Sequence, residues 1–205
     1  MEKVMENKPL IVVDVDEVLL HYIQPFLSYC KSLGWEVCPN SEQDSYDMTS
    51  WFSEHDIWGV MTRDELVCLI NEFNDYPRAL PPLEWSQDML HDIKYSADII
   101  ALSSFGGTEQ TKQFRKDYLN VLYPDVFKDI ILIGLGECKK KYLEELKPDI
   151  YVEDSLQHAT SAKELGIKCI LIETPYNKGC DTSHYTKDWL DAACKIMNTL
   201  EMIDV

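Results

Sequence analysis

Short uninterrupted apolar runs recur along the chain, and each closes on a polar or glycine-bearing segment. Pro9–Val13 runs into Asp14, Asp98–Leu102 into Ser103-Ser104, and Asp129–Ile133 into Gly134. Asp149–Val152 runs into Glu153-Asp154, and Lys168–Ile172 into Glu173-Thr174-Pro175. Continuous rather than alternating hydrophobicity predicts strands covered on both faces. Helix-period stretches lie between them. Thr108–Tyr123 stops before Pro124, Lys140–Leu146 stops before Pro148, and Leu156–Leu165 ends at Gly166, a C-cap residue. A last amphipathic helix is expected over Asp188–Met202. Strand and helix in alternation predict the α/β class, as a doubly wound, Rossmann-like parallel sheet. Such sheets bind ligands beyond the carboxyl ends of their strands.

The interval after the first strand breaks this rhythm. It shows no strand ladder and holds Trp35, Trp51, Trp58 and Trp85; helices are expected at His21–Leu33 and Thr62–Asn74. Pro81-Pro82 marks a return loop. The expected organisation is a core of residues 1–20 and 96–205, with residues 21–95 as a small helical insertion.

Charge narrows the partners. Lys and Arg total 19 against 36 Asp and Glu in 205 residues, a net charge of −17. That offers no basic track for a polynucleotide and repels anionic membranes. A small anionic substrate stays compatible, because a metal ion and a lysine can invert the field locally. The seven cysteines are odd in number and form no CxxC pair, which predicts reduced thiols and a cytoplasmic setting. No apolar run reaches the ~18 residues of a membrane span, and Met1–Lys8 shows no cleavable signal pattern.

The strand ends carry the candidate chemistry. Asp14 and Asp16, one residue apart, leave the first strand. Two acids there need a neutralising partner, and a divalent cation such as Mg²⁺ serves. One carboxylate could attack phosphorus and the other protonate a leaving oxygen; both could equally cap the following helix. Ser103 and Ser104 precede Gly106-Gly107, an arrangement that suits a phosphate cradle or an ordinary helix cap. Lys139-Lys140-Lys141 could neutralise phosphoryl oxygens or simply begin a solvated helix. Glu153-Asp154 adds a second acid pair. The order acid-x-acid, hydroxyl, lysine, acid pair, each at a strand end, makes a joint accident improbable.

With DVDEV, Ser103, Lys139 and the Glu153-Asp154 pair in this order, the chain resembles the haloacid dehalogenase superfamily of phosphohydrolases over essentially its whole length. DVDEVL, LSSF, YLEELKPDIYVEDS and IKCILIETPYN resemble the 5′(3′)-deoxyribonucleotidase branch and related bacterial and phage proteins. The resemblance implies Asp14 as nucleophile and Asp16 as general acid, then base. It implies Ser103 on a phosphoryl oxygen and Lys139 as the motif lysine, with Lys140 the neighbouring choice. Mg²⁺ would be held by Asp14, the Asp16 carbonyl, Asp154 and, directly or through water, Glu153. The insertion would be a type-one cap. Two positions depart from the branch: Glu17 stands where it has Gly, and Glu153 where an Asp or Gly precedes the second acid.

The implied activity is Mg²⁺-dependent phosphomonoester hydrolysis through an aspartyl-phosphate. A (deoxy)nucleoside 5′-monophosphate is the expected substrate, and a sugar phosphate or other small metabolite the alternative. A non-catalytic binding protein on the same fold is a further reading, against which all four motif positions are filled. Asp16 argues against dehalogenation, since halide leaves without a proton. Tyr46, Trp51, Phe52 and Trp58 are candidates for base stacking or for packing inside the cap. His21, His55 and His91 lack metal-site spacing, and Glu42, Asp44 and Asp47 read as a solvated loop. Monomer and homodimer are both compatible with the sequence.

Overall fold

The structure, a computed structural model, describes residues 8–39, 43, 45, 47–53, 59–179 and 185–203. Tyr46, Trp58, His55, Glu42 and Asp44 lie outside the described residues. The strands are β1 Leu10–Val13, β2 Asp98–Ser104, β3 Phe127–Ile133, β4 Ile150–Glu153, β5 Lys168–Ile172 and β6 Tyr185–Thr186. They form one parallel sheet in the order β3-β2-β1-β4-β5-β6. The helices are α1 Ile23–Ser32, α2 Arg63–Asp75, α3 Ser86–Ile93, α4 Glu109–Leu122, α5 Lys139–Leu146, α6 Leu156–Glu164 and α7 Trp189–Ile203. No described helix is long and apolar enough to cross a membrane.

The sheet is doubly wound because its inner strands are apolar on both faces. Ile11 and Val13 point into one cluster with Leu119 of α4, Tyr123 just after it, and Trp189 and Ile196 of α7. Val12 points the other way, with Tyr151, Leu143 and Ala162 under α5 and α6. Each fully buried side chain of this size contributes about 1.5–3 kcal/mol.

One strand and one α-helix were not expected from the sequence. β6 is only two residues long, too short for any periodicity. α3 buries Ser86, Leu90 and Ile93 at helical spacing and packs on α7 of the core. It falls within residues 21–95 all the same. β2 also runs two residues beyond Leu102, so Ser103 and Ser104 are strand residues, and Thr108 is the helix cap, accepting from the Thr111 amide.

The segment between β1 and β2 is tied at its neck, where Leu20 bridges Pro82 and the Leu83 amide donates to the Leu19 carbonyl at 2.8 Å. Inside it, α1 and α2 pack through aromatic rings. Phe73 meets Tyr22 at 5.3 Å and Phe26 at 5.5 Å, both edge-on. A capping box at Thr62 and Glu65 starts α2. A short ribbon pairs Val37 with Phe52, next to a 3-10 turn at Met48–Trp51 that the Asp47 side chain caps.

Candidate active site

Strand order reverses between β1 and β4, the neighbours at the centre of the sheet. Open α/β sheets bind ligands at this crevice. Val13 is in register with Val152, and the Asp14 amide donates to the Val152 carbonyl at 2.9 Å. Parallel pairing therefore brings the acid after β1 beside the acids at the end of β4.

Asp14, Glu153 and Asp154 are all buried, with ligand oxygens within 4.8 Å of one another, and could hold a metal ion. Lys139, at the first turn of α5 and also buried, places Nζ 2.9 Å from Asp14 Oδ1 and 3.0 Å from Glu153 Oε2. Three carboxylates thus face one ammonium. Lys139 therefore answers Asp14 and Glu153 at once, and one positive charge is left to balance three buried acids. Oxygen ligands with an excess of negative charge fit a hard divalent cation such as Mg²⁺.

The electrostatics follow. Burial, then the charge of Glu153, push the Asp14 carboxyl up to about 8 despite Lys139. The same two causes raise Asp154. Burial alone would raise Glu153 as well, but Lys139 and local hydrogen bonds hold it below the carboxylate range. Burial would lower Lys139, yet Asp14 and Glu153 keep it firmly protonated.

Glu153 and Asp154 are held differently. Glu153 Oε2 accepts from Lys139 and from the Tyr151 hydroxyl, while Oε1 accepts the Asp154 and Ser155 amides at 3.2 and 3.1 Å. Its oxygens are already occupied, which suits an anchor for Lys139 better than a metal ligand. Asp154 accepts from the Tyr176 hydroxyl through Oδ2. Its carbonyl accepts from Asn177 Nδ2 at 2.7 Å, and the same amide group bonds the Ile172 carbonyl at 2.7 Å.

No protein-family model matches the chain, and no curated protein matches it. Solved structures do. A haloacid dehalogenase-like family hydrolase from Streptococcus pneumoniae superposes with a TM-score of 0.64 at 13% identity, over 92% of this chain and 98% of that one. The fold is that of the haloacid dehalogenase-like hydrolases. The HAD hydrolase YfnB from Bacillus subtilis, bound to magnesium, gives 0.57 at 14% identity over 95% and 99%. A variant of CbbY from Rhodobacter sphaeroides, in complex with xylulose-(1,5)bisphosphate, gives 0.54 at 15% over 89% and 95%. At these identities the likeness is one of fold.

Within this haloacid dehalogenase-like fold, Asp14, Lys139, Glu153 and Asp154 come together. Ser103 lies buried on β2, beside β1 and two residues beyond the register partner of Val13; Ser104 is half-buried next to it. Lys140 does not join them. Successive helical residues point about 100° apart, and its Nζ turns out to Glu164 at 2.8 Å. Asp16 turns to Arg115 on α4, Nη1 to Oδ1 at 2.8 Å. Trp51, buried in the insertion, stacks on Tyr176 at 6.0 Å and so reaches the Asp154 side of the site. Phe52 packs edge-on against Trp35 instead.

Two residues at the site escaped the sequence reading, Arg115 and Tyr151, and Glu17 was singled out only as a departure from a motif. Arg115 shares the buried face of α4 with Thr111 and Leu119, so an arginine at i+4 on an apolar stripe was the available signal. Tyr151 passed for an ordinary strand residue. Glu17 has a left-handed backbone, φ 58°, and its Oε1 accepts the Tyr22 and Ile23 amides at 2.8 and 2.7 Å, capping α1.

Proposed function

We propose that the protein is a Mg²⁺-dependent phosphomonoester hydrolase working through an aspartyl-phosphate. The observation that carries the reading is the buried cluster of Asp14, Asp154 and Glu153 around Lys139, three acids against one ammonium. In this reading Asp14 attacks phosphorus while Asp16 protonates the leaving oxygen. Asp16 then takes a proton from the water that cleaves the acyl phosphate. Lys139 fixes Asp14 and faces the phosphoryl oxygens, and Ser103, with Ser104 beside it, holds one of them. Mg²⁺ would be held by Asp14, Asp154 and the Asp16 carbonyl, and would supply charge neutralisation of the phosphoryl group. The magnesium of YfnB and the sugar bisphosphate of CbbY support this chemistry on the shared fold.

The substrate is a small phosphorylated metabolite. Among these, a (deoxy)nucleoside monophosphate rests on the motif resemblance and on Trp51, whose buried indole N–H meets no acceptor among the described residues. The core would comprise residues 1–20 and 96–205, with the insertion as substrate-selecting cap. The test is phosphate release from a panel of nucleotides and sugar phosphates, with Mg²⁺ and with EDTA, for wild type and Asp14→Asn. Mg²⁺-dependent release that the variant loses is expected. Release from sugar phosphates alone would overturn the nucleotide assignment and keep the chemistry; metal-independent release, or none, would overturn the chemistry.

A further inference from the structure

Arg115 is a buried cation that the chemistry above does not use. It projects from α4 into the joint between core and insertion. Its guanidinium lies 4.6 Å from the ring centre of Phe105, after β2, and 5.9 Å from that of Tyr22, at the entrance to α1. Tyr22 in turn bonds Asn74 of α2 through its hydroxyl at 3.2 Å. Cation–π contact with rings holds a guanidinium in place. The pair it makes with Asp16 is well shielded, Arg115 being 8% and Asp16 22% exposed at the side chain.

We propose that Arg115 is the positioning residue of Asp16. This rests on the hydrolase reading. Arg115 engages Oδ1, which assigns the proton to Oδ2. As the bond from Asp14 to phosphorus forms and the bond to the leaving oxygen breaks, the Oδ2 proton passes to that oxygen. When water attacks phosphorus, one of its protons returns to Oδ2, the bond to Asp14 breaks, and inorganic phosphate leaves. Throughout, Arg115 keeps the carboxyl from rotating away. A group about 1 Å out of place can lose on the order of a hundredfold in rate.

Leaving-group dependence separates this role from a structural one, because a good leaving group departs without a proton. The measurement is kcat/KM for an alkyl phosphate and for p-nitrophenyl phosphate, using wild type, R115Q, R115K, D16N and the double variant D16N/R115Q. R115Q is expected to lose roughly ten- to a hundredfold on the alkyl ester, at least several times more than on the aryl ester. R115K restores part of the alkyl activity, and the double variant is no worse than D16N. Equal losses on both esters, or losses that multiply in the double variant, would overturn the positioning role. If R115Q does not fold, the R115K ratio of alkyl to aryl losses decides in the same way. A wild type that hydrolyses neither ester would overturn the hydrolase reading itself, and this inference with it.

Discussion

Lys139 Nζ stands 2.9 Å from Asp14 Oδ1 at the heart of the sheet, both groups buried. β3 ends at Ile133, and the turn at residues 134–138 leads to Lys139, the first residue of α5, whose ammonium reaches the acid after β1. Lys139 also holds Glu153, and with Lys139 removed the three carboxylates would face one another uncompensated.

Lys139→Met is therefore expected to destabilise the metal-free protein by about 3–5 kcal/mol, the usual cost of breaking a buried charge pair from one side. Saturating Mg²⁺ should recover part of this, since a cation at the acids replaces the lost charge. Phosphatase activity should not return with it. Urea unfolding with and without Mg²⁺ measures the first effect. Equal destabilisation in both conditions would remove the acids from the metal site.

A pH dependence follows from the Asp14 carboxyl, pushed up to about 8 by burial and by Glu153. In the unfolded chain it titrates near 3.8. Across that interval the folded state binds the extra proton, so raising the pH destabilises the metal-free protein. Asp154, raised by the same causes, adds to the slope. His158, lowered by burial, opposes it around neutrality. The metal-free Tm should fall between pH 5 and pH 8, and Asp14→Asn should flatten the fall. Mg²⁺ must displace these protons, so its affinity should rise with pH and its binding release protons. Calorimetry in two buffers of different ionisation enthalpy reads that release. A Tm slope unchanged in Asp14→Asn would sink the assignment.

What the sequence disclosed and what it concealed divide along physical lines. The apolar runs located β1 to β5, because each run is continuous and shows no alternation to confuse it. Only parallel pairing, with Val13 opposite both Ala101 and Val152, brings Asp14 and Asp154 together, and the order of strand ends anticipated that. The lysine register was not legible, because three lysines in a row are equivalent until the helix sets their angles. Arg115 was hidden by distance: it lies 99 positions from Asp16. Tyr176 and Asn177 were visible only as part of a resemblance, and their bonds to Asp154 depend on where the chain turns after β5.

Asn177 tests that turn. Its side chain satisfies three backbone groups at once: the carbonyls of Asp154 and Ile172 and the amide of Thr174, the last at 2.8 Å. The residue is almost completely buried. Asn177→Ala leaves all three without partners, at about 1–3 kcal/mol each before relaxation. A net loss of about 3–5 kcal/mol is expected, with weaker Mg²⁺ binding because the Asp154 backbone is no longer pinned. A loss under about 1 kcal/mol in urea unfolding would show that water replaces the amide readily.

Glu17 poses the opposite problem, a residue whose backbone and side chain pull in different directions. Its left-handed backbone, φ 58°, favours glycine, while its carboxylate caps the first amides of α1. Glu17→Ala removes the cap and keeps the strain, so it should cost about 1–3 kcal/mol. Glu17→Gly removes the cap and the strain together, and should be less destabilised than Glu17→Ala by about 1 kcal/mol. The two unfolding curves, measured side by side, separate these terms. If glycine proved the worse of the two, flexibility in the loop bearing Asp16 would outweigh relief at φ, and kcat should then fall further in Glu17→Gly than in Glu17→Ala. If glycine is the better, the glutamate is retained for its hold on α1, the helix that leads the chain from the Asp14–Asp16 loop into the insertion.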